Sequence, residues 1–134
     1  MDESLLEIKQ YKGGGYRPLI DFGAWRVAIL RWQDSMLPEN IKFMERHTQT
    51  DEVFVLLGGE ATLVLGGRSS LVDGIQPQKM EANNLYNVKQ NVWHAVILSQ
   101  DASILIVEES NTGENNTEYC ELTNEHRKEI TQLK

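Results

Sequence analysis

The chain has 134 residues and a formal net charge of −7, from 13 basic and 20 acidic side chains. That length suits one domain with a single hydrophobic core, and 40% apolar with 25% charged residues is ordinary for a globular protein. The acidic balance argues against a nucleic-acid partner and against docking on anionic lipid, because both need a basic face.

The cysteine content and the N-terminus predict the compartment. The lone cysteine, Cys120, cannot form an internal disulfide and is most simply a small buried residue, and no Cys/His zinc spacing is present. The segment Met1–Ser4 is acidic and resembles no secretory signal. No apolar run approaches the ~20 residues that span a bilayer. We therefore expect a soluble, cytoplasmic protein without a membrane partner.

Taken in chain order, the predicted elements are mostly short strands. Residues 4–11 could form a short helix or a leading strand, and the glycine tract 13–15 is a flexible connector. Beyond it, β-type runs are separated by glycine and asparagine pairs that suit tight turns. The predicted strands are residues 22–32, 41–46, 52–58, 61–65, 69–72, 78–82, 85–88, 93–99, 103–109 and 117–122.

Many short strands at close spacing indicate an all-β sandwich or barrel, here over about residues 20–122 of a single domain covering 1–134. The last twelve residues, 123–134, form a predicted short helix that Thr123 caps. Its residues His126, Ile130 and Leu133 recur on one face, which should pack against the barrel or against a second copy. We expect His126 to be a surface or packing residue.

Two patches carry the side chains best suited to chemistry. His47 and Gln49 point to the same side if residues 45–49 are extended, and Glu52 opens the next β-type run. His94 lies near the start of a separate predicted strand. A closed barrel would bring both patches together near one mouth. Imidazole and carboxylate groups from different strands are common ligands of divalent first-row metals.

The spacing His47-x-Gln49-x-x-Glu52-x6-Gly59, followed later by His94, resembles the two-motif signature of the cupin superfamily. In that family the first motif reads His-x-His, three or four residues, Glu, six residues, Gly, and the second motif adds a histidine. The match assigns His47 to the first histidine and leaves Gln49 in place of the second. The resemblance implies a small double-stranded β-helix, the jelly-roll barrel of cupins.

The resemblance also implies a metal centre. His47, Gln49, Glu52 and His94 would hold a divalent ion (Fe, Mn, Ni or Zn), with Gln49 ligating through its amide oxygen. Such an ion would act as a Lewis acid on an oxygen of a small organic ligand. Because the scaffold hosts isomerases, dioxygenases and sensors, whether the chain is an enzyme stays open at this point.

Two alternatives stay open beside the metal hypothesis. The segment from Leu85 to Val107 has a looser resemblance to metal-free sugar-nucleotide ketoisomerases, which are also cupins. That likeness implies a carbohydrate isomerase or epimerase in which His47 or His94 is the general base. The third possibility is a non-catalytic cupin that binds or senses a small molecule.

Three further residues are candidates for the ligand pocket. Tyr86 and Arg26 could contact polar groups of a ligand, or could instead lie along the barrel with only their polar ends in water. Glu108 and Glu109 end an apolar strand, so one of the two faces inward if the strand continues that far. An inward Glu108 would have a raised pKa and would be a candidate base; otherwise both carboxylates lie in water.

The parity of the strand that contains His94 predicts a homodimer. Trp93 and Ile97 face away from His94, and together they form an outward apolar surface. A second copy related by a twofold axis is the usual cover for such a face.

Overall fold

The computed structural model describes residues 2–133, and its strands form two five-stranded antiparallel sheets. Sheet A has the order β1-β2-β9-β4-β7, and sheet B has the order β10-β3-β8-β5-β6. The fold is the cupin jelly roll, which confirms the predicted all-β class. The strands are β1 (Gly15–Phe22), β2 (Trp25–Arg31), β3 (Phe43–His47), β4 (Glu52–Gly58), β5 (Ala61–Leu65), β6 (Gln76–Lys79), β7 (Tyr86–Val88), β8 (His94–Leu98), β9 (Ser103–Glu109) and β10 (Thr117–Glu121).

The main core lies between the sheets and is built from alternate residues of their strands. On β9, Ile104 and Ile106 point inward and are essentially inaccessible, and Glu108 continues the same face. Since side chains alternate along a strand, this parity carries a carboxylate into the interior at the end of an apolar run. The buried members of the core are Ala28, Leu30, Phe54, Leu56, Ala61, Leu63, Met80, Val88, Leu98, Ala102, Ile104 and Ile106.

A second core lies on the outer face of sheet B, where α1 (Asn124–Thr131) covers the strands. The cap predicted at Thr123 is present, because its hydroxyl accepts a hydrogen bond from the His126 backbone N–H at 3.1 Å. Ile130 is the buried residue of this helix, at 0% exposure. In the part of the chain that the structure describes, no helix is long and apolar enough to cross a membrane.

Trp93 does not form the outward apolar surface that was predicted for the dimer. Its side chain is 2% exposed within one chain, the indole N–H donates to the Ser69 carbonyl at 2.9 Å, and the Arg46 guanidinium lies 4.2 Å from the ring centre. Ile97 packs against the same cluster. The strand parity was right, but α1 and the segment 66–75 cover this face, so it needs no second copy.

Three predicted elements differ from the observed ones. The strand predicted over 22–32 contains the turn at Gly23, whose φ is +55°, and β2, whereas β1 begins at Gly15 and was not predicted. Residues 4–11 form neither a helix nor a strand, and residues 69–72 lie in a loop. The reason for the first difference is that Gly23 alone supplies the left-handed backbone of the turn, so Phe22 and Trp25 pair directly across it.

Two turns near the functional patches, one after β4 and one before β8, have a left-handed backbone. Gly59 has a φ of +73°, and a Cβ there would lie 2.5 Å from the Ala102 Cα, so the position requires glycine. Asn91 also has a positive φ, of +68°, a conformation that asparagine adopts more readily than most residues. Its N–H donates to the His47 carbonyl at 2.9 Å, which joins the loop before β8 to the end of β3.

From the second core we predict that α1 contributes to the free energy of unfolding. Replacing Ile130 by Ala should lower the free energy of unfolding by about 2–4 kcal/mol, because it removes a fully buried side chain and leaves a cavity. Leu85→Ala is the matched control, since Leu85 is 75% exposed. Urea unfolding measures both variants. Equal stability of Ile130→Ala and wild type would mean that the helix does not anchor this core.

Candidate functional site

The two patches meet between the sheets, where β3, β4 and β8 place their inward side chains at one end of the barrel. Strand β3 pairs with β8 at Glu45 and His94, so these two residues are direct neighbours. His47 follows Glu45 by two positions and shares its face. Glu52 opens β4 in the opposite sheet and points toward the same place. His47, Glu52 and His94 are all less than 8% exposed.

One carboxylate oxygen lies between the two imidazoles. Glu52 Oε1 is 3.1 Å from His47 Nε2 and 3.0 Å from His94 Nε2. Glu45 Oε1 lies slightly farther away, at 3.8 Å from His47 Nε2 and 3.9 Å from His94 Nε2. Two nitrogens and two carboxylate oxygens therefore converge on one point.

The atoms at the centre of this group lack hydrogen-bond partners, although they are close together. His47 Nε2, His94 Nε2 and Glu52 Oε1 are buried without a hydrogen bond of acceptable geometry. The nitrogen–oxygen separations of 3.1 and 3.0 Å would by themselves allow hydrogen bonds. Buried polar atoms without partners are costly, which indicates that something else satisfies them.

The other ring nitrogens determine which tautomers are present. His94 Nδ1 lies 3.0 Å from the Val92 carbonyl oxygen, which can only accept, so Nδ1 carries the proton. In neutral His94 the lone pair is then on Nε2, which faces Glu52. His47 Nδ1 is bound to the Thr117 hydroxyl at 3.0 Å. Such hydrogen bonds to the far nitrogen are the usual way of orienting a histidine ligand.

The pKa shifts of the two histidines and of Glu52 also indicate that the site favours a positive charge. Burial by itself would lower the pKa of His47 and of His94, but the Glu52 carboxylate outweighs burial and raises both. Burial would raise the pKa of Glu52, yet the two imidazoles hold it well below its usual range. The site therefore stabilises an ionised carboxylate beside a cation, which is either a proton on an imidazole or a metal ion.

The observed separations fit a metal ion. Donor atoms bound to one first-row ion lie about 2.0–2.2 Å from it, so any two of them are at most about 4.4 Å apart. The four nitrogen–oxygen distances of 3.0, 3.1, 3.8 and 3.9 Å all satisfy that limit. Glu45, His47 and His94 also form a compact group of potential ligand atoms, within 4.8 Å of one another.

Gln49 does not belong to this group, which corrects the predicted position of the fourth ligand. Strand β3 ends at His47, so the alternation assumed for residues 45–49 stops there, and Gln49 is exposed in a bend. Glu45, two residues before His47, takes the place expected for Gln49. His47 then corresponds to the second histidine of the cupin motif, and Glu45 stands where the first would be. The four residues between His47 and Glu52 agree with that register.

A cavity of about 620 Å³ extends from this group between the sheets. Glu108 lies in its wall, is 6% exposed, and accepts a hydrogen bond from the Tyr16 hydroxyl at 3.2 Å. Burial and the nearby Glu52 charge raise the pKa of Glu108 to about 7. Burial, followed by the charge of Glu108, also raises the pKa of Tyr16. The structure thus places Glu108 inward, while Glu109 is exposed.

The other two predicted pocket residues have structural partners. Arg26 lies in the cavity wall, but its guanidinium binds the Asp21 carboxylate and the carbonyls of Ser110 and Thr112. Tyr86 lies outside the cavity wall, and its hydroxyl accepts from the Glu81 N–H at 2.8 Å. Both side chains hold neighbouring loops in place, which short-range patterns do not reveal.

Three site residues were missed by the sequence patterns. Glu45 had a signal, namely its same-face position two residues before His47 and the spacing from His47 to Glu52. Tyr16 and Thr117 had none, because each reaches the site through long-range pairing: the hairpin partner of β1, β2, pairs with β9, and Thr117 pairs with His47. A histidine and a carboxylate can be recognised by type, whereas a positioning hydroxyl cannot.

Comparison with known proteins identifies the family of this chain. Residues 11–129 match the family model described as ureidoglycolate lyase. The chain belongs to the ureidoglycolate lyase family. A ureidoglycolate lyase of Brucella anthropi is 30% identical over an alignment of 112 residues that covers 78% of this chain and 64% of that protein. The chain thus spans less than two thirds of the length of this curated family member.

Solved structures show the same fold at low sequence identity. A cupin-2 domain protein from Shewanella frigidimarina is 17% identical, with a TM-score of 0.52 over 80% of this chain and 87% of that one. The 3,4-ketoisomerase QdtA from Thermoanaerobacterium thermosaccharolyticum is also 17% identical, with a TM-score of 0.55 over 74% of this chain and 68% of that one. At this identity both similarities concern the fold alone.

The raised pKa of Glu108 predicts a pH-dependent stability. A carboxyl that titrates near pH 7 when folded, above its ordinary value of 4.5, contributes stability that is complete below about pH 4.5 and is lost as the pH rises through 7. Between pH 5 and pH 8, wild type should therefore lose about 2 kcal/mol more than Glu108→Gln. Urea unfolding with a chelator present measures this difference. Parallel pH profiles of the two proteins would contradict the assignment.

Proposed function

We propose that this protein is a metal-dependent lyase that cleaves a small 2-hydroxy acid with a ureido group on the same carbon. The proposal rests on one observation: two imidazoles and two carboxylates converge beside a cavity, and three of their buried polar atoms have no hydrogen-bond partner. Membership of the ureidoglycolate lyase family supports the choice of substrate class. The cavity volume of about 620 Å³ suits a small organic ligand.

The residues that would hold the metal are Glu45, His47, Glu52 and His94. A mixed set of imidazole and carboxylate donors suits Zn, Mn, Fe or Ni, and sulfur ligands are not needed. A divalent ion in this position supplies a Lewis acid that polarises substrate oxygens. Thr117 and the Val92 carbonyl would orient the two imidazoles through their Nδ1 atoms.

The reaction itself requires one proton to be moved. The substrate hydroxyl loses its proton and becomes a carbonyl, the bond between that carbon and the ureido nitrogen breaks, and the departing nitrogen gains a proton. The products are a 2-oxo acid and a urea, and no oxidant or reductant is consumed. The protein must therefore hold a proton at one carboxyl or imidazole and return it to the leaving nitrogen.

Glu108 is best placed to move that proton. Its carboxyl lies in the cavity wall on sheet A and is buried, and the Tyr16 hydroxyl fixes its orientation through Oε1. The remaining oxygen can accept the hydroxyl proton and then donate it to the nitrogen. This role differs from that of Glu52, whose Oε1 lies between the two histidines.

We also propose a cytoplasmic location. Cys120 is a free thiol buried within the chain. A free cysteine without a disulfide partner is typical of the reducing compartments of a cell.

Metal content tests the ligand assignment. His47→Ala or His94→Ala should lower the affinity by more than the roughly 10–100-fold that outer-shell changes typically cost, since each removes a donor atom. Glu45→Gln should weaken binding, because a neutral amide oxygen is a poorer ligand than a carboxylate. Gln49→Ala is the matched control and should bind as wild type does. Elemental analysis of untagged protein and calorimetric titration provide the measurements.

The outcomes separate two assignments of the fourth ligand. Weaker binding by Glu45→Gln with unchanged Gln49→Ala supports the geometry described above. The reverse result would restore Gln49 as a ligand. The metal-dependent proposal is wrong if wild type binds no divalent ion. It is also wrong if the two histidine variants bind the ion as tightly as wild type does.

Turnover tests the role of Glu108. With ureidoglycolate as substrate, Glu108→Gln should lower kcat by about 10²–10⁴, the usual contribution of a general acid or base. Glu121→Gln is the control, because Glu121 is an exposed carboxylate at the end of β10. Release of the 2-oxo acid is measured for both. Metal affinity should stay unchanged in Glu108→Gln, so a loss of metal there would show that the residue acts as a ligand.

A further inference from the structure

Two aromatic rings in the wall of the cavity are exposed to solvent. Phe43 is 52% exposed and Tyr119 is 54% exposed, and both line the cavity that extends from the histidine and glutamate group. Single exposed apolar residues are common on protein surfaces and need no explanation. Two large rings that share the wall of one ligand cavity are a different case, because together they form a surface that a bound molecule can contact.

The pairing of β3 with β10 gives the position of these rings relative to the metal-binding group. Tyr119 pairs with Glu45, and Phe43 precedes Glu45 by two residues on β3. Because paired residues and residues two apart share a face, both rings lie on the face that carries Glu45 and His47. Strands rise about 3.4 Å per residue, so along the strands Tyr119 is about 7 Å and Phe43 about 14 Å from His47.

Tyr119 is held in this position by its neighbours. Its hydroxyl donates to Glu114 Oε1 at 3.2 Å. Partial burial, followed by the negative charge of Glu45, raises the pKa of Tyr119, so the ring stays uncharged at neutral pH. Val96 of β8 lies in the same cavity wall and has the parity of His94. The wall beside the metal-binding group is therefore apolar and includes a fixed planar ring.

The cavity has more room than the proposed substrate fills. Its volume is about 620 Å³, and cavities of roughly 300–1,000 Å³ enclose drug-sized ligands. A 2-hydroxy acid with an unsubstituted ureido group is much smaller than such ligands. Its carboxylate and hydroxyl are the oxygens that a metal ion polarises, so its ureido group is the end that points away from the metal-binding residues. Additional ligand atoms would extend from the far ureido nitrogen toward Tyr119 and Phe43.

We propose that Tyr119 and Phe43 form a subsite for a planar apolar group, such as an aryl ring, carried on the far nitrogen of a ureido acid. The inference rests on the proposed function for the orientation of the acid, and it names the substrate class as N-substituted ureido acids. The bond that breaks is still the one between the 2-carbon and the near nitrogen, so the products are a 2-oxo acid and a substituted urea. Binding gains from the apolar area that ligand and rings remove from water and from the contact between the rings.

Two ligands that the reaction cannot cleave test this subsite apart from turnover. Ureidoacetate and its derivative with a phenyl ring on the far nitrogen both lack the 2-hydroxyl that becomes the carbonyl of the product. In calorimetric titrations with Mn²⁺ supplied, wild type should bind the phenyl derivative about tenfold more tightly than ureidoacetate, because one further ring is buried.

Variants of the two rings locate the preference. Phe43→Ala and Tyr119→Ala should each remove most of the tenfold difference and leave the affinity for ureidoacetate unchanged, and the fold should tolerate both because the side chains are exposed. Tyr119→Phe is the conservative control, which keeps the ring and should keep the preference. Phe22→Ala is the second control, since Phe22 is 71% exposed and lies outside the cavity wall.

The outcomes separate this subsite from the proposed function. Equal affinity of wild type for the two ligands, or no binding of the phenyl derivative, would overturn the subsite. A preference that both alanine variants retain, or that Phe22→Ala removes, would overturn it as well. A ring-dependent preference in a protein without lyase activity toward ureidoglycolate would refute the proposed function alone, whereas an active lyase without the preference would refute the subsite alone.

Discussion

The organisation of this protein depends on a carboxylate oxygen held about 3 Å from two imidazole nitrogens in a buried place. The Val92 carbonyl fixes the proton of His94 on Nδ1, so a lone pair of Nε2 faces the lone pairs of Glu52. That arrangement is repulsive unless a cation lies among the three atoms. A proton on an imidazole satisfies only one pair, whereas a divalent ion satisfies all of them, and the absence of hydrogen-bond geometry agrees with the second case.

The jelly-roll fold explains how the histidine and glutamate side chains of the site are held in position. The two histidines and two glutamates come from three strands in two sheets, and the backbone of each strand is held by ladder hydrogen bonds on both sides. The Asn91 N–H ties the loop before β8 to the His47 carbonyl, so the two histidine-bearing segments are joined beside the site. Gly59, at the far end of β4, lets the chain pass close to Ala102. Side chains on such rigid elements are positioned more precisely than side chains on loops.

The sequence predicted those parts of the site that are recognised by residue type and short spacing. His47, Glu52 and His94 were identified in this way, and the structure brings them together. Gln49 was misplaced because the alternation rule was extended two residues beyond the end of β3, where a bend exposes it. Trp93 was assigned to the correct side of its strand, but it was predicted to pack against a second copy. In the structure it is buried in the cluster that α1 covers, and α1 comes from a distant part of the chain. Tyr16 and Thr117 reach the site through long-range pairing, for which a single sequence has no signal.

The register that places Glu45 beside His47 also changes the charge of the centre. Two ionised carboxylates and two neutral imidazoles carry a charge of −2, which balances a divalent ion, whereas three histidines and one glutamate would leave a net charge of +1. A buried charge is costly unless it is paired, so the balanced set would stabilise a divalent ion without help from a bound ligand. An anionic ligand would gain less attraction from a neutral centre of this kind. The polar groups of the cavity wall, among them Tyr16 and Glu108, would then contribute to the choice of ligand beside a metal ion.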